Sequence, residues 1–329
     1  MTDTPVLLSL RYDLRAPSFG APADALYRAA LEQCAWAEDH GFLLATLSEH
    51  HGSDDGYCPS PLVMAAAIAG RTRSLRILVA ALILPLYDPI RLAEDLAVLD
   101  LASGGRVDLI LGAGYRPEEM AMFGKEMDER AALVEEGIAV LRAAWTGEEF
   151  DYRGRRVRIT PRPARERGPG LLMGGSTPAG ARRAARLGDG FVPVDASLWP
   201  VYEGACRELG KEAGSPPAMS APRFVHVADD PDEAWARIAP HALHETNAYG
   251  AWLTGAGALG PYAAADDADA LRARGDYLVL TPDECVATAR EHGALLLHPL
   301  MGGLDPDLAW ESLELVASKV IPRLSSPAP

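Results

Sequence analysis

Short apolar runs alternate with longer stretches of helical spacing along most of this chain. Val6–Leu10 reads as a first strand, and Asp24–His40 follows with Leu26, Ala30, Cys34 and Ala37 on one face. Gly41 stands just beyond that helix, where a left-handed cap costs glycine least. Phe42–Leu47, Arg76–Leu84 and Val107–Leu111 read as the next three strands, with Pro61–Thr72 and Ile90–Ala102 as the helices between them. Arg130–Trp145 is a long amphipathic helix, and Phe150–Ile159 alternates around Arg153-Gly154 as a β-hairpin outside the main pattern. The rhythm resumes with strand Leu171–Met173, helix Pro178–Leu187 and strand Gly190–Val194. A helix near Leu198–Leu209, a strand at Arg223–Val227 and a helix at Pro231–Ala248 come next. Helix Pro282–His292 precedes a last strand, Ala294–His298, and Pro306–Val320 is a terminal helix.

About eight strands, nearly all followed by helices, predict an α/β fold, a (β/α)8 TIM barrel, with residues 1–329 as a single domain. A doubly wound open sheet is the competing arrangement, but the Gly-x-Gly-x-x-Gly turn that favours it does not follow the first strand. Pro- and Gly-rich stretches at 161–170 and 213–222 read as loops, since the alternation continues across both. Gly250–Gly275 breaks the pattern: it is rich in Gly, Ala and Asp, with Trp252, Leu259 and Tyr262 irregularly spaced. So long a loop in a compact domain is either functional or disordered. We expect a mobile lid after the seventh strand, with a surface insertion as the alternative.

Composition adds limits. The chain is 48% hydrophobic and 23% charged, with a net charge of −15, which argues against a nucleic-acid or anionic-membrane partner. Four scattered cysteines, Cys34, Cys58, Cys206 and Cys285, lack metal-ligand spacing and ask for no oxidising compartment. Met1–Pro5 has neither a basic region nor an apolar core for a signal peptide, and the longest apolar run, Ile77–Leu86, is too short to cross a bilayer. A cytoplasmic protein is expected.

In a barrel, chemistry gathers at the C-terminal ends of the strands. The second strand ends Leu47-Ser48-Glu49-His50-His51-Gly52, and three ionisable groups directly after a buried strand are costly without a use. Alternation places Glu49 and His51 on one side and His50 on the other. Zinc is the rival for two histidines, but adjacent ones on a strand do not readily share an ion and no third ligand is evident, so no metal is expected. The third strand ends in Leu84-Pro85-Leu86-Tyr87-Asp88-Pro89, where two prolines fix a rigid loop. Gly112-Ala113-Gly114-Tyr115 would let a ligand approach the backbone, or would simply make a tight turn. Gly174-Gly175-Ser176-Thr177 before Pro178 offers a phosphate cradle at a helix N-terminus, or an ordinary hydroxyl cap.

Several of these pieces occur together, in this order, in one family. Ser48-Glu49-His50-His51, Val79–Pro85 followed by Asp88–Asp95, Leu99–Arg106, Gly112–Tyr115 ending in Phe123-Gly124, and Gly174–Thr177 before Arg182–Ala185 resemble the bacterial luciferase-like flavoenzymes. The likeness covers about Val6–Val194; beyond Ala196 only Gly302-Gly303 adds to it. It implies a flavin at the C-terminal mouth, its ring near Ala80-Ala81, where the family often has a non-proline cis peptide, and near His50 or Glu49. The phosphate would rest on Gly175, Ser176 and Thr177, with Gly112 and Gly114 also binding the cofactor. Bacterial luciferase carries a reactive cysteine where this chain has Gly112 and an arginine where it has Ala113, so light emission is not implied, and Arg116 is the substitute for the phosphate contact.

The resemblance therefore implies a monooxygenase that takes reduced FMN from a separate flavin reductase and uses O2 to oxygenate a small organic substrate. His50 would hold or protonate the flavin–oxygen adduct, Glu49 would orient it, and Tyr115 would touch substrate. Two alternatives stand beside it: a hydride-transferring oxidoreductase using the deazaflavin F420, and a non-catalytic flavin-binding protein. Relatives often pair through helices flanking the early strands, which makes Pro61–Thr72 and Ile90–Ala102 a candidate homodimer face.

Overall fold

The computed structural model describes residues 6–217, 222, 224–258, 260 and 262–324. Met1–Pro5, Arg223, Leu259 and part of the 213–222 loop, all mentioned above, lie outside the described residues. The first half of the chain follows the expected alternation: β1 Leu7–Tyr12, α1 Ala23–Asp39, β2 Leu44–Leu47, α2 Pro61–Arg71, β3 Arg76–Ile83, α3 Pro89–Ser103, β4 Val107–Gly112. A short helix α4, Pro117–Met122, and α5, Arg130–Ala144, lead to the hairpin β5 Phe150–Tyr152 and β6 Arg155–Val157. Then come β7 Leu171–Gly175, α6 Pro178–Leu187, β8 Gly190–Pro193, α7 Trp199–Glu208, β9 Phe224–Val227 and α8 Pro231–Gly255. The remaining elements are α9 Ala268–Ala273, β10 Tyr277–Leu280, α10 Pro282–His292, β11 Ala294–Leu297 and α11 Pro306–Leu315.

Proline and short polar caps set the helix starts. Pro61, Pro89, Pro117, Pro178, Pro231, Pro282 and Pro306 all open helices, where a missing N–H has no intrahelical partner to lose. Asp88 accepts from the N–H groups of Ile90 and Arg91, and Thr281 with Glu284 forms a reciprocal capping box. At the other end of α3, Gly104 takes the left-handed φ of 65° that stops the helix.

Nine strands form one sheet in the order β10-β9-β11-β1-β2-β3-β4-β7-β8, and every pair in it is parallel. Two features differ from the eight-stranded expectation. The sheet has one more strand, β10, a four-residue apolar run hidden between an Ala/Asp-rich stretch and a proline-started helix. Among the described residues, β8 and β10 at the two ends share no ladder pairing, so the barrel is not closed by hydrogen bonds. Leu10, Tyr12, Leu47, Val79, Leu109 and Leu171 are fully buried in the central strands, and one continuous core runs under most of the helices.

A further difference is local structure within the segment expected as a lid. Helix α8 runs seven residues beyond Ala248, so its last turns occupy Gly250–Gly255, and α9 takes up Ala268–Ala273. Gly250 reads in the sequence as a loop signal, yet it is a contact residue: a Cβ there would come 2.9 Å from the backbone nitrogen of Ala264. Asn247 exchanges two hydrogen bonds with the Ala265 backbone, and Arg274 donates to the carbonyls of Ala263 and Ala264. On the faces put forward for pairing, α2 and α3 expose Val63, Val98 and Leu101. Among the described residues, no helix is long and apolar enough to cross a membrane.

Candidate functional site

Because the sheet is all parallel, the C-terminal ends of β1, β2, β3, β4 and β11 open toward one end, and polar side chains collect there. Ser48, Glu49, His50 and His51, directly after β2, are all buried. Extended backbone sends the neighbours apart. His51 Nε2 lies 3.0 Å from Glu49 Oε1, whereas His50 Nδ1 lies 2.8 Å from Glu119 Oε1. The carboxylate that orients His50 is therefore Glu119 of α4, not Glu49 as the sequence suggested. Glu49 is committed elsewhere: it accepts from the Ile83 backbone N–H at 2.7 Å and from the Tyr87 hydroxyl at 2.6 Å, at the end of β3.

Glu119 is the hub of this corner. It also accepts from the His51 backbone N–H and from Arg116 Nη1. Burial would raise its carboxyl pKa, but His50, the His51 amide and Arg116 hold it below the ordinary glutamate range. For His50, desolvation outweighs the Glu119 carboxylate, so its pKa falls below the usual histidine value. The imidazole is then neutral at pH 7, donates Nδ1–H to Glu119 and turns Nε2 outward as an acceptor. Tyr115 stands on that side, its hydroxyl 3.3 Å from Nε2.

Arg116, put forward above as a phosphate contact, turns into the mouth instead. It is buried, donates to the His51 carbonyl and to Glu119, and lies over the Trp252 ring with Cζ 4.2 Å from the centroid. The peptide between Ala80 and Ala81 is cis, as the family resemblance implied. Gly112 faces it: a Cβ added there would stand 3.1 Å from the Ala81 methyl. Gly114, with a φ of 77°, has Ile83 and Met120 against the space a side chain would need. The stretch Gly174–Thr177 spans the end of β7 and the cap of α6. Thr177 caps α6 by accepting from Gly180 N–H, and Gly175 packs closely on Phe191, with no hydrogen bond or ring contact joining the stretch to His50 among the described residues.

A second network, not anticipated from the sequence, lies beside the first. Asp13 and Arg15 follow β1 with no exposure at all, and Arg15 pairs with Asp55. His244 and Arg15 keep the Asp55 carboxyl far below its ordinary range despite its burial. Arg11 donates to the Tyr262 and Tyr249 hydroxyls and sits 3.7 Å from Glu245, which accepts from Tyr277. His298, one residue past β11, lies 3.6 Å from Asp13 and 3.7 Å from Glu245. Asp13, Glu245 and His298 each bring one potential ligand atom within 4.8 Å of the others, although the Arg11 and Arg15 guanidinium groups beside them compete with any cation. The usable signal was position. Each of Asp13, Arg15 and His298 is an ionisable residue within three positions of the C-terminal end of a strand.

A family model described as luciferase-like monooxygenase matches residues 13–294. The chain belongs to the luciferase-like monooxygenase family. Its relatives in that family are diverse. An uncharacterized protein of Sinorhizobium fredii is 35% identical over 42% of this chain and a second is 35% identical over 45%; the matches span less than half of those proteins, 39% and 45%. The 4-hydroxyprotoasukamycin monooxygenase of Streptomyces nodosus subsp. asukaensis is 28% identical over 92% of this chain and 88% of its own length. An F420-dependent glucose-6-phosphate dehydrogenase of Nocardia farcinica is 30% identical over 59% of this chain and 60% of its own. Among solved structures, the monooxygenase RslO1 of Streptomyces bottropensis superposes with a TM-score of 0.78 at 24% identity, covering 97% of this chain and all of that one. The oxygenating constituent of 3,6-diketocamphane monooxygenase from Pseudomonas putida, solved with FMN, superposes at 0.74 and 21% identity, covering 98% of this chain and all of that one. At those identities the structures bear on the fold alone, and it is the α/β fold of luciferase-like barrels.

Proposed function

We propose that this luciferase-like protein is a two-component monooxygenase, receiving reduced FMN from a separate reductase and oxygenating a small organic substrate with O2. The observation that carries the reading is the buried His50, held in one tautomer by Glu119 and presenting Nε2 toward Tyr115 at the strand ends. The residues nearby fit a flat cofactor: Gly112 and Gly114 leave bare backbone, and Ala80 and Ala81 carry only methyl groups, where larger side chains would crowd. Gly175, Ser176 and Thr177 supply the start of α6 for a phosphate. Bound reduced flavin would supply the reactivity toward oxygen.

The chain's own part is positional. A neutral imidazole accepts a proton at Nε2, and Glu119 stabilises the imidazolium so formed, which fits His50 to take a proton first and return it later. Tyr115 lies within reach of the same nitrogen. Trp252 and Tyr249, both packed on His50, limit the entry of water. As a lid, the Gly250–Gly275 segment would act through these two rings and Tyr262, which stacks on Tyr249.

F420 is the second reading, because F420-dependent relatives align over more than half of the chain. Its long anionic tail asks for available basic groups, and two of the three α6 arginines, Arg183 and Arg186, are taken by Glu135. That favours FMN. The test is an anaerobic titration with oxidised FMN, reduced FMN and F420, repeated on His50→Ala. We expect reduced FMN to bind most tightly, and His50→Ala to keep that affinity while losing coupled turnover by about 10²-fold or more. Tighter binding of F420, or full turnover in the variant, would sink the reading.

A further inference from the structure

The mouth of this protein is filled by one of its own side chains. Trp252, on the last turns of α8, is only half-buried, yet two arginines lie over its ring, Arg15 with Cζ 4.5 Å and Arg116 with Cζ 4.2 Å from the centroid. The His50 ring is 4.7 Å away, and Tyr57 and Tyr249 also cover the Arg15 guanidinium, each at 4.7 Å. Two cations over one indole make a slot selective for an electron-rich flat ring.

The two arginines are also incompletely satisfied. Among the described residues, Arg15 Nη2 and Arg116 Nε are buried without an acceptor, and Arg15 Nε has only a 3.5 Å ion-pair contact with Asp13. Arg15 has no exposure and Arg116 only 7%. Buried charged donors rarely stay unpaired, since each then keeps its full desolvation penalty. An indole offers these donors its π-face but no oxygen. The surrounding carboxylates, Asp13, Asp55, Glu119 and Glu245, already outnumber Arg11, Arg15 and Arg116, so the missing partner is a neutral acceptor and not an anion.

We propose that Trp252 occupies the substrate slot as a displaceable stand-in, and that the slot takes a flat aromatic ring system carrying hydroxyl or ketone oxygens, which Arg15 and Arg116 bind. The assignment deepens the reading of this mouth as a monooxygenase site and rests on it. Its chemistry follows from the slot: cation–π contact selects an electron-rich ring, and the free N–H groups select oxygen acceptors at its edge. Trp252 would swing toward solvent from the end of α8 as the ligand enters. An aliphatic ketone would meet the N–H groups but offer no π-face to the two guanidinium groups.

The isoalloxazine ring of a flavin is also flat and bears carbonyl oxygens, so the experiment must separate the two occupants. Calorimetric titration with 1-hydroxy-2-acetonaphthone, and with naphthalene as the oxygen-free control, is run on wild type, Trp252→Ala and Arg116→Gln, each without and with saturating FMN. Removing the stand-in is expected to tighten naphthone binding about tenfold. Arg116→Gln is expected to weaken it about tenfold while weakening naphthalene, which loses only the cation–π contact, by distinctly less, and FMN should not displace the naphthone. Unchanged or weaker naphthone binding by Trp252→Ala would overturn the stand-in. Equal losses for naphthone and naphthalene in Arg116→Gln would overturn oxygen recognition. Competition by FMN, with Trp252→Ala shifting FMN affinity by the same factor, would hand the slot to the flavin. The Trp252→Ala and Arg116→Gln comparisons are read in the absence of flavin and do not depend on which flavin wins the cofactor titration, so the two readings fail separately.

Discussion

The two ends of the parallel sheet are both rich in charge, but they use it differently. At the N-terminal end, where the strands begin, the polar groups are bound to completion. Arg106, just before β4, places all five guanidinium N–H bonds on Ser103, Thr72, Leu75 and Ala69. Arg165 joins Asp100, Asp108 and the Val107 carbonyl, and Glu38 accepts from the successive amides of Arg73, Ser74 and Leu75. Those amides hold the Glu38 carboxyl down to about 2 against the desolvation that would raise it. At the C-terminal end, Asp13, Arg15, Arg116, Glu119, Glu245 and His298 all keep a buried side-chain polar atom without a hydrogen-bond partner; elsewhere among the described residues only Gln33 does. Groups left unsatisfied at such cost are held for something other than stability. One end holds the strands together, and the other is poised for a ligand.

The largest expected effect breaks the poised end. Glu119→Gln keeps the shape of the side chain but removes the charge that fixes the His50 tautomer and stabilises its protonated form. We expect turnover to fall by about 10²–10³-fold, while thermal unfolding moves by only a few degrees. Steady-state kinetics beside a melting curve reads both. A variant that loses stability and keeps its turnover would make Glu119 a structural residue and dissolve the contrast.

The opposite end should behave in reverse. Arg106→Ala leaves the Ala69, Thr72 and Leu75 carbonyls without their charged donor. A loss of about 2–4 kcal/mol of stability is expected, with turnover per folded molecule unchanged. Denaturant unfolding, scored with activity below the transition, gives the comparison. A fall in turnover without a shift in midpoint would show that the staples also tune the mouth.

The contrast between the ends also explains what the sequence could tell. The parallel α/β alternation was legible because it rests on local periodicity and on proline-started helices. His50, Tyr115 and the Ala80-Ala81/Gly112 pair were legible because they sit directly at strand ends or in the family's own segments. Glu119 was hidden because its partner lies 69 positions away, and Glu245 and Trp252 because α8 carries them back over the mouth from late in the chain. Gly250 misled: its missing side chain serves helix–loop contact, while a glycine in sequence signals only conformational freedom. Networks assembled from distant segments leave no local period to read.

The smallest expected effect tests whether acid sensitivity belongs to the mouth or to the flank of the sheet. His226 on β9 is buried beside Phe224, and desolvation, with Arg237 nearby, lowers its pKa to about 4. A histidine whose folded pKa is depressed binds fewer protons than in the unfolded chain between about pH 4 and its ordinary value of 6.5. Stability therefore rises with pH across that window and is lost as pH falls through it. At pH 5 the loss from this one residue is about 2 kcal/mol. His226→Leu, which fills the space without a titrating group, should flatten most of that slope, read as unfolding midpoint against pH from 7 to 4.5. His50 and His241, the latter at the Gly302 carbonyl beyond β11, are shifted in the same direction by burial, so their contributions have the same sign and will remain in the variant. If the slope survives His226→Leu undiminished, the acid-sensitive charge lies at the mouth. The unsatisfied end would then set the pH range of the fold as well as that of the chemistry.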